Sequence, residues 1–168
     1  MVTLDKHVGE MDADELSETL LKSDNRYVKQ IQIQDVKIAE KLFDDTAERI
    51  AKTFIGKNSS GKKDYVSSSQ LRKFFDEIKS FEKYFVSTGE SKWEEKKPYI
   101  KMIKSKVAYA VARKGVKEGV YKNLEKFIID GINQIKEEKD YFTFLSLFEA
   151  VYGFYCQVLL DNDCKLND

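Results

Sequence analysis

The apolar positions of the chain recur at intervals of three or four residues from residue 35 to residue 160. That interval places side chains on one face of an α-helix, so it predicts helices rather than strands. The apolar spacing predicts five helices, at about residues 35–55, 67–85, 98–114, 120–135 and 141–160. The predicted fold class is therefore all-α, a single five-helix bundle with short loops.

Several helix boundaries coincide with residues that commonly begin or end helices. Asp35 is the predicted N-cap of the first helix, and Gly56 is its predicted stop. Ser67 and Gln70 match the capping box that opens the second helix. Pro98 suits the first turn of the third helix, because a proline there gives up no intrahelical hydrogen bond.

The predicted fifth helix is apolar on almost all sides, and Asp140 is its predicted N-cap. Its polar residues form one narrow stripe: Thr143, Ser146, Glu149, Gly153 and Gln157. Such a helix lies at the centre of a bundle or crosses a subunit interface. The run is also as long as a membrane span. We predict no membrane, because two polar side chains of the stripe would then lie in lipid and no basic residues flank the run.

The chain outside the bundle is acidic. Residues 1–34 contain few apolar side chains, and we predict that they form an extended or poorly ordered N-terminal arm. The bundle spans residues 35–160, and residues 161–168 form an acidic C-terminal tail.

Charge is distributed unevenly along the chain. The 29 basic and 29 acidic side chains give a formal net charge of zero, which taken alone argues against a polyanionic partner. Residues 57–115, however, carry 15 basic and 7 acidic side chains, a net charge of +8. Residues 1–56 and 116–168 each have a net charge of −4. A basic middle third bears on the choice of partner rather than on the fold.

The basic surplus lies in two groups. The first, in the loop after the first helix and at the start of the second, contains Lys57, Lys62, Lys63, Arg72 and Lys73. The second, on the third helix, contains Lys101, Lys104, Lys106, Arg113 and Lys114, together with Tyr109. No Asp or Glu occurs between Lys96 and Arg113, whereas a face that only solubilises usually mixes both signs.

We predict that these eleven residues bind RNA. Met102, Lys106, Tyr109 and Arg113 share one helix face, where two cations can pair with phosphates and the aromatic ring can stack a base. The alternative is an ordinary solvated helix face. The phenylalanines of the second and fifth helices have core spacing instead, so we assign them to packing.

The residues that most often carry catalysis are scarce. His7 is the only histidine, and the sequence has no phosphate-binding glycine loop and no CxxC pair. We therefore predict that the protein is not an enzyme, with no catalytic residues, no metal ligands and no cofactor. Two cysteines without a secretory signal predict a reducing compartment, and hence a cytoplasmic protein.

Three stretches together resemble a known family. They are S-S-S-Q-L-R-K-F-F (67–75), K-S-K-V-A-Y-A-V-A-R (104–113) and F-T-F-L-S-L-F-E-A-V-Y-G-F-Y (142–155). Their order and spacing are similar to those of the small helical subunit of the type III-A CRISPR–Cas effector, the Csm complex. The resemblance covers about residues 35–160, and residues 1–34 have no identified counterpart.

The resemblance implies a non-catalytic, RNA-binding structural subunit that acts in antiviral defence. Several copies would stack beside the RAMP-fold backbone subunits, in a complex that also contains a polymerase-like large subunit. Their basic faces would line the channel where target RNA pairs with guide RNA. On the matching stretches, the implied RNA contacts are Arg72, Lys73, Lys104, Lys106 and Arg113. The rival hypotheses are a helical protein–protein interaction module that binds no nucleic acid and an enzyme that uses carboxylates or lysines, for which the sequence shows no sign of a suitable pocket.

Overall fold

A computed structural model of the chain describes residues 40–86, 92–115 and 119–164. The predicted N-terminal arm, and Asp35 as the first N-cap, lie outside these residues. Within them the fold is helical apart from one short hairpin, which confirms the all-α prediction.

The helices follow one another along the chain with short connections. A π-helical stretch, Leu42–Thr46, continues directly into α1 (Ala47–Lys52). The helices that follow are α2 (Ser68–Lys79), α3 (Lys83–Val86), α4 (Trp93–Ala112), α5 (Val120–Gln134) and α6 (Glu138–Asp161). An antiparallel hairpin of β1 (Ile55–Lys57) and β2 (Lys63–Tyr65) connects α1 to α2.

The hairpin corrects the predicted end of the first helix, because Ile55 and Gly56 belong to β1 and not to a helix. Ile55 pairs with Tyr65 across the ladder. Each strand has only three residues, which is too few for an alternating pattern to be visible in the sequence.

Asn58 organises the turn between the two strands. Its side-chain Oδ1 accepts hydrogen bonds from the backbone N–H groups of Ser60 and Lys62, each at 3.0 Å. Gly61 has a φ of 71°, in the left-handed region that glycine enters without a steric penalty. The polar composition that predicted a loop is therefore the composition of a tight hairpin turn.

Ser67 is the N-cap of the second helix as predicted, since its Oγ accepts a hydrogen bond from the Gln70 backbone N–H at 3.3 Å. The predicted capping box is only half formed, because the Ser67 backbone N–H donates to Tyr121 Oη at 3.3 Å. The helix ends earlier than predicted, at Lys79, and α3 follows as a separate short helix. The third helix begins earlier than predicted, at Trp93. Pro98 is therefore the sixth residue of a continuous helix, not part of its first turn.

The prediction of Asp140 as the N-cap of the last helix was wrong by three residues. Glu137 is the N-cap, and Asp140 occupies helix position N3. The two residues form a reciprocal capping box. Asp140 Oδ2 accepts hydrogen bonds from the backbone N–H groups of Lys136 and Glu137, at 2.9 and 3.0 Å. The apolar pattern begins only at Tyr141, so it gives no sign of the polar first turn.

Helix α6 is the centre of the fold, where it packs against α1, α2 and α5. Ten of its 24 residues are buried, and by length and composition alone it is the one helix of the described residues that would fit a membrane span. The Phe75 ring stacks on Tyr152 with the centroids 5.7 Å apart, and the Phe127 and Phe148 centroids are 5.3 Å apart. These contacts confirm that the aromatic residues build the core.

Two buried tyrosine hydroxyls of α6 fix this helix to its neighbours through backbone carbonyls. Tyr155 Oη, on α6, donates to the carbonyl of Val66 at 2.6 Å and lies 3.2 Å from the carbonyl of Phe54. Tyr141 Oη, also on α6, donates to the carbonyl of Ile78 at 2.8 Å. Burial raises the pKa of both phenols above the ordinary value, so both remain donors.

Removing the Tyr155 hydroxyl should destabilise the fold. The substitution Tyr155→Phe keeps the ring but removes the hydroxyl donor of the buried Val66 carbonyl, whereas the Phe54 carbonyl still accepts a hydrogen bond from the Val66 backbone N–H. We expect the free energy of unfolding to fall by about 1–3 kcal/mol, measured by urea denaturation. Tyr109→Phe is the matched control, because that side chain is exposed and its free energy of unfolding should change by less than about 0.5 kcal/mol. Equal effects of the two substitutions would contradict this assignment.

Candidate nucleic-acid interface

Helices α2 and α4 border an open groove with a volume of about 1180 Å³, which we call the α2/α4 groove. It brings together five of the predicted RNA-binding residues from two separate parts of the sequence. These are Lys73, Lys106, Tyr109, Arg113 and Lys114.

The burial pattern of each helix explains why these side chains face the groove or solvent. Helix α2 buries Leu71, Phe74, Phe75 and Ile78, which leaves Lys73 exposed. Helix α4 buries Ile100, Ile103, Val107 and Val111. Lys106, Tyr109 and Arg113 recur at three and four residues on its exposed side, as predicted from their spacing.

Cations outnumber acids around the α2/α4 groove, where four cations meet a single carboxylate, that of Glu77. Glu77 Oε1 forms an ion pair with Lys106 Nζ across the two helices. The groove also reaches the N-terminal end of α2, whose first turn contains no acidic residue. The partial positive charge of a helix N-terminus adds to the attraction for an anion.

Aromatic rings accompany the cations at the end of α4. The Tyr109 side chain is 66% exposed, and the Arg113 guanidinium carbon lies 5.8 Å from the centroid of its ring. Lys114 Nζ lies 4.7 Å from the ring centroid of Tyr121. Cation–π contacts of this kind orient a charge without neutralising it, so both cations remain available to a phosphate.

Four other predicted residues lie away from the groove. Arg72 is exposed on α2, with its Nε 3.7 Å from Asp76 Oδ2. Lys57 and Lys62 are exposed on the hairpin, and Lys63 Nζ donates to the backbone carbonyl of Asn162 at the end of α6. The hairpin lysines and Arg72 therefore do not line the α2/α4 groove.

Lys101 and Lys104 point toward α5. Lys101 Nζ donates to the carbonyls of Ile132 and Ile135, the latter at 2.8 Å, and Lys104 Nζ donates to Asn133 Oδ1 at 2.8 Å. The last carbonyls of a helix lack the N–H donor that a further turn would supply, and Lys101 Nζ supplies a donor to two of them at the end of α5. Both lysines join α4 to α5, a role that the sequence spacing did not indicate.

The pKa of Lys101 is lowered from 10.5 to about 8. Burial is the largest cause, and the positive charges of Lys136, Lys104 and Lys97 add to it, whereas the Asp140 carboxylate opposes it. A half-buried amine with this pKa is a weaker phosphate ligand than an exposed lysine.

The Lys101 pKa predicts how stability depends on pH. Between about pH 8 and pH 10 the unfolded state keeps the proton on this amine while the folded state has released it. Folding stability therefore rises with pH in this window. We expect the free energy of unfolding of the wild type, measured by urea denaturation, to rise from pH 8 to pH 10 relative to that of Lys101→Met. A difference that is constant over this range would contradict the lowered pKa.

Six lining residues were not among the predicted RNA-binding residues: Ser67, Ser69, Gln70, Phe74, Glu77 and Ala110. Their positions relative to Lys73 place Gln70 and Glu77 on the same face of α2, so helical spacing could have identified both. The described residues contain no group of three or more His, Cys, Asp or Glu side chains that could hold a metal ion.

Comparison with known families finds a match to the family described as Csm2 Type III-A, over residues 36–156. The match spans well over half of the chain and includes both helices that border the α2/α4 groove. Comparison with curated proteins and with solved structures finds no match.

Proposed function

Because the chain belongs to the Csm2 family of type III-A, the small subunit of the Csm complex, we propose that it binds RNA in that CRISPR–Cas complex without catalysing a reaction. The α2/α4 groove is the proposed contact surface, and its bound strand is the target RNA or the guide RNA with which the target pairs. Its contacts act on the RNA backbone, while the sequence is read by guide–target pairing.

The charge of the α2/α4 groove is the observation that carries this proposal. Four cations and a helix N-terminus surround one carboxylate, on a chain whose formal net charge is zero. A surface of this kind attracts phosphates through Coulomb forces that weaken with salt, and it needs no base-specific groups.

The proposal extends to the assembly of the complex. Several copies of the chain would lie beside the backbone subunits and in reach of the large subunit, in the cytoplasm. A single groove holds few phosphates, so copies held side by side would bind one strand more tightly than a free chain does. The acidic first and last thirds of the chain, each with a net charge of −4, would repel polyanions, so a free copy would bind RNA weakly and mainly at low salt.

The experiment that tests this function compares the Csm complex assembled with and without the chain. We expect the complete complex to bind target RNA more tightly and with a steeper dependence of log Kd on log salt concentration. The expected difference in slope is about 0.7 for each phosphate contact that the chain supplies to a single strand. Equal affinities and equal slopes for the two complexes would contradict the proposed function.

A protein-interaction module is the second candidate function. It is favoured by Tyr99 and Met102 of α4, whose large side chains are each 54% exposed. The two functions differ in how the chain affects the binding of target RNA by the complex. A loss of target-RNA affinity when the chain is omitted favours the first, whereas retention of the backbone subunits by a chain that leaves target-RNA affinity unchanged favours the second.

A further inference from the structure

We infer that the α2/α4 groove takes an unpaired nucleotide, with its base stacked on Tyr109 and its phosphate held by the neighbouring cations. This inference rests on the proposed function and narrows it from RNA in general to RNA with an exposed base.

The inference depends on Tyr109, because its ring is exposed and lines the same groove as the cations. The side chain is 66% exposed, the largest fraction among the exposed large apolar side chains of the described residues. It borders the same groove as Lys73 and Lys106, so a nucleotide that places its phosphate near these amines can bring its base to the ring. Stacking of a base on an aromatic ring requires no particular base, in keeping with a surface that does not read sequence.

Arg113 strengthens this arrangement. Its guanidinium carbon lies 5.8 Å from the Tyr109 ring centroid, at the same end of the groove. A planar guanidinium can stack on a base or pair with a phosphate in two hydrogen bonds, whereas a lysine can only supply a point charge. Tyr109 and Arg113 therefore form a platform that a lysine-rich surface alone would not provide.

The same geometry discriminates against a continuous duplex. In A-form RNA the bases are stacked on each other inside the helix and present only their edges, together with phosphates and 2′-hydroxyls. The flat face of Tyr109 has no base to stack on along such a helix. An unpaired nucleotide can use both the ring and the cations, so it gains binding energy that a duplex does not.

The test measures binding of the full-length chain to three RNA probes of equal length at low salt. The probes are a single-stranded oligouridine, the same ribose–phosphate chain without bases, and a blunt duplex. We expect the oligouridine to bind about tenfold more tightly than the abasic chain or the duplex, the size of one base–aromatic stack. An upfield shift of the Tyr109 ring proton signals in NMR spectra should accompany its binding.

Variants of the platform separate stacking from charge. Tyr109→Ala should remove the preference for the oligouridine, and Tyr109→Phe should keep it. Arg113→Lys, which preserves the charge, should reduce the preference. Tyr99→Ala is the matched control, because Tyr99 is an exposed tyrosine of the same helix that does not line the groove, and it should leave the preference unchanged.

Equal affinity of the wild-type chain for the oligouridine and the abasic chain would overturn the inference. So would a preference that survives in Tyr109→Ala, or the absence of oligouridine binding at low salt. In each case the proposed function stands if the complete Csm complex still binds target RNA more tightly than the complex without the chain. The proposed function is contradicted as well only if the complexes with and without the chain bind target RNA equally tightly.

Discussion

The variant K73Q/K106Q/R113Q/K114Q should bind target RNA about a hundredfold more weakly than the wild type when it is assembled into the Csm complex and measured near 0.1 M salt. The four cations of the α2/α4 groove are removed while the side chains keep their polarity and nearly their size. Four lost phosphate contacts should lower the slope of log Kd against log salt concentration by about 3. Fluorescence anisotropy of labelled target RNA at several salt concentrations measures both quantities.

The control for this prediction changes the charge by the same amount elsewhere. Lys41, Lys52, Lys83 and Lys139 are exposed and do not line the groove, so K41Q/K52Q/K83Q/K139Q should leave the slope within about 1 of the wild type. Equal losses in the two variants would mean that net charge, not the groove, attracts the RNA. An unchanged slope in the groove variant would contradict the placement of the RNA contacts.

Removing the negative charge from the α2/α4 groove should strengthen the binding of target RNA. Glu77 is the carboxylate that pairs with Lys106, so a phosphate must compete with it for that ammonium. The substitution Glu77→Gln should increase affinity for target RNA several-fold at low salt and make the salt dependence steeper. A weaker affinity in a variant that assembles normally would contradict this role of Glu77.

The second large effect is expected at Gly131, in the last turn of α5. A Cβ atom there would lie 2.0 Å from Phe144 Cε2 and 2.5 Å from its Cδ2. Phe144 is only 4% exposed and packs against the Phe127 ring at 5.7 Å, so it has little room to move. We expect Gly131→Ala to lower the free energy of unfolding by about 3 kcal/mol, measured by urea denaturation, although alanine favours a helix.

Gly153 of α6 provides the matched control for Gly131. It is also a helical glycine, but a Cβ atom there would meet no heavy atom within 4 Å. Gly153→Ala should therefore raise the free energy of unfolding by up to about 1 kcal/mol through helix propensity alone. If both substitutions stabilise the protein, the result would contradict the close approach of Gly131 on α5 to Phe144 on α6.

The sequence predicted those parts of the fold that depend on local spacing. The apolar stripes of α2 and α5 and the Ser67 cap are set by residues within a few positions of each other, and these predictions are confirmed. The hairpin of β1 and β2 was missed because three-residue strands have no period, and it is held in place by Tyr155, about 90 residues away in the sequence. The Asp140 cap was misplaced because a polar first turn has no apolar signal.

The candidate site likewise has features that spacing within one helix predicts and features that depend on packing between helices. Helical spacing alone placed Lys106, Tyr109 and Arg113 on one exposed face of α4, in agreement with the structure. That Lys73 lies across from them, and that Lys101 turns toward the end of α5, depends on how helices pack. Neither follows from residue spacing within one helix.

Ultraviolet crosslinking of target RNA in the assembled Csm complex, followed by mass spectrometry of the attached peptides, tests the central claim most directly. The claim is that the RNA lies in the α2/α4 groove. The account predicts nucleotide adducts on Tyr109 and on peptides that contain Lys73 or residues 106–114. Adducts confined to the hairpin at residues 55–65 or to α5, with none on the groove, would contradict it.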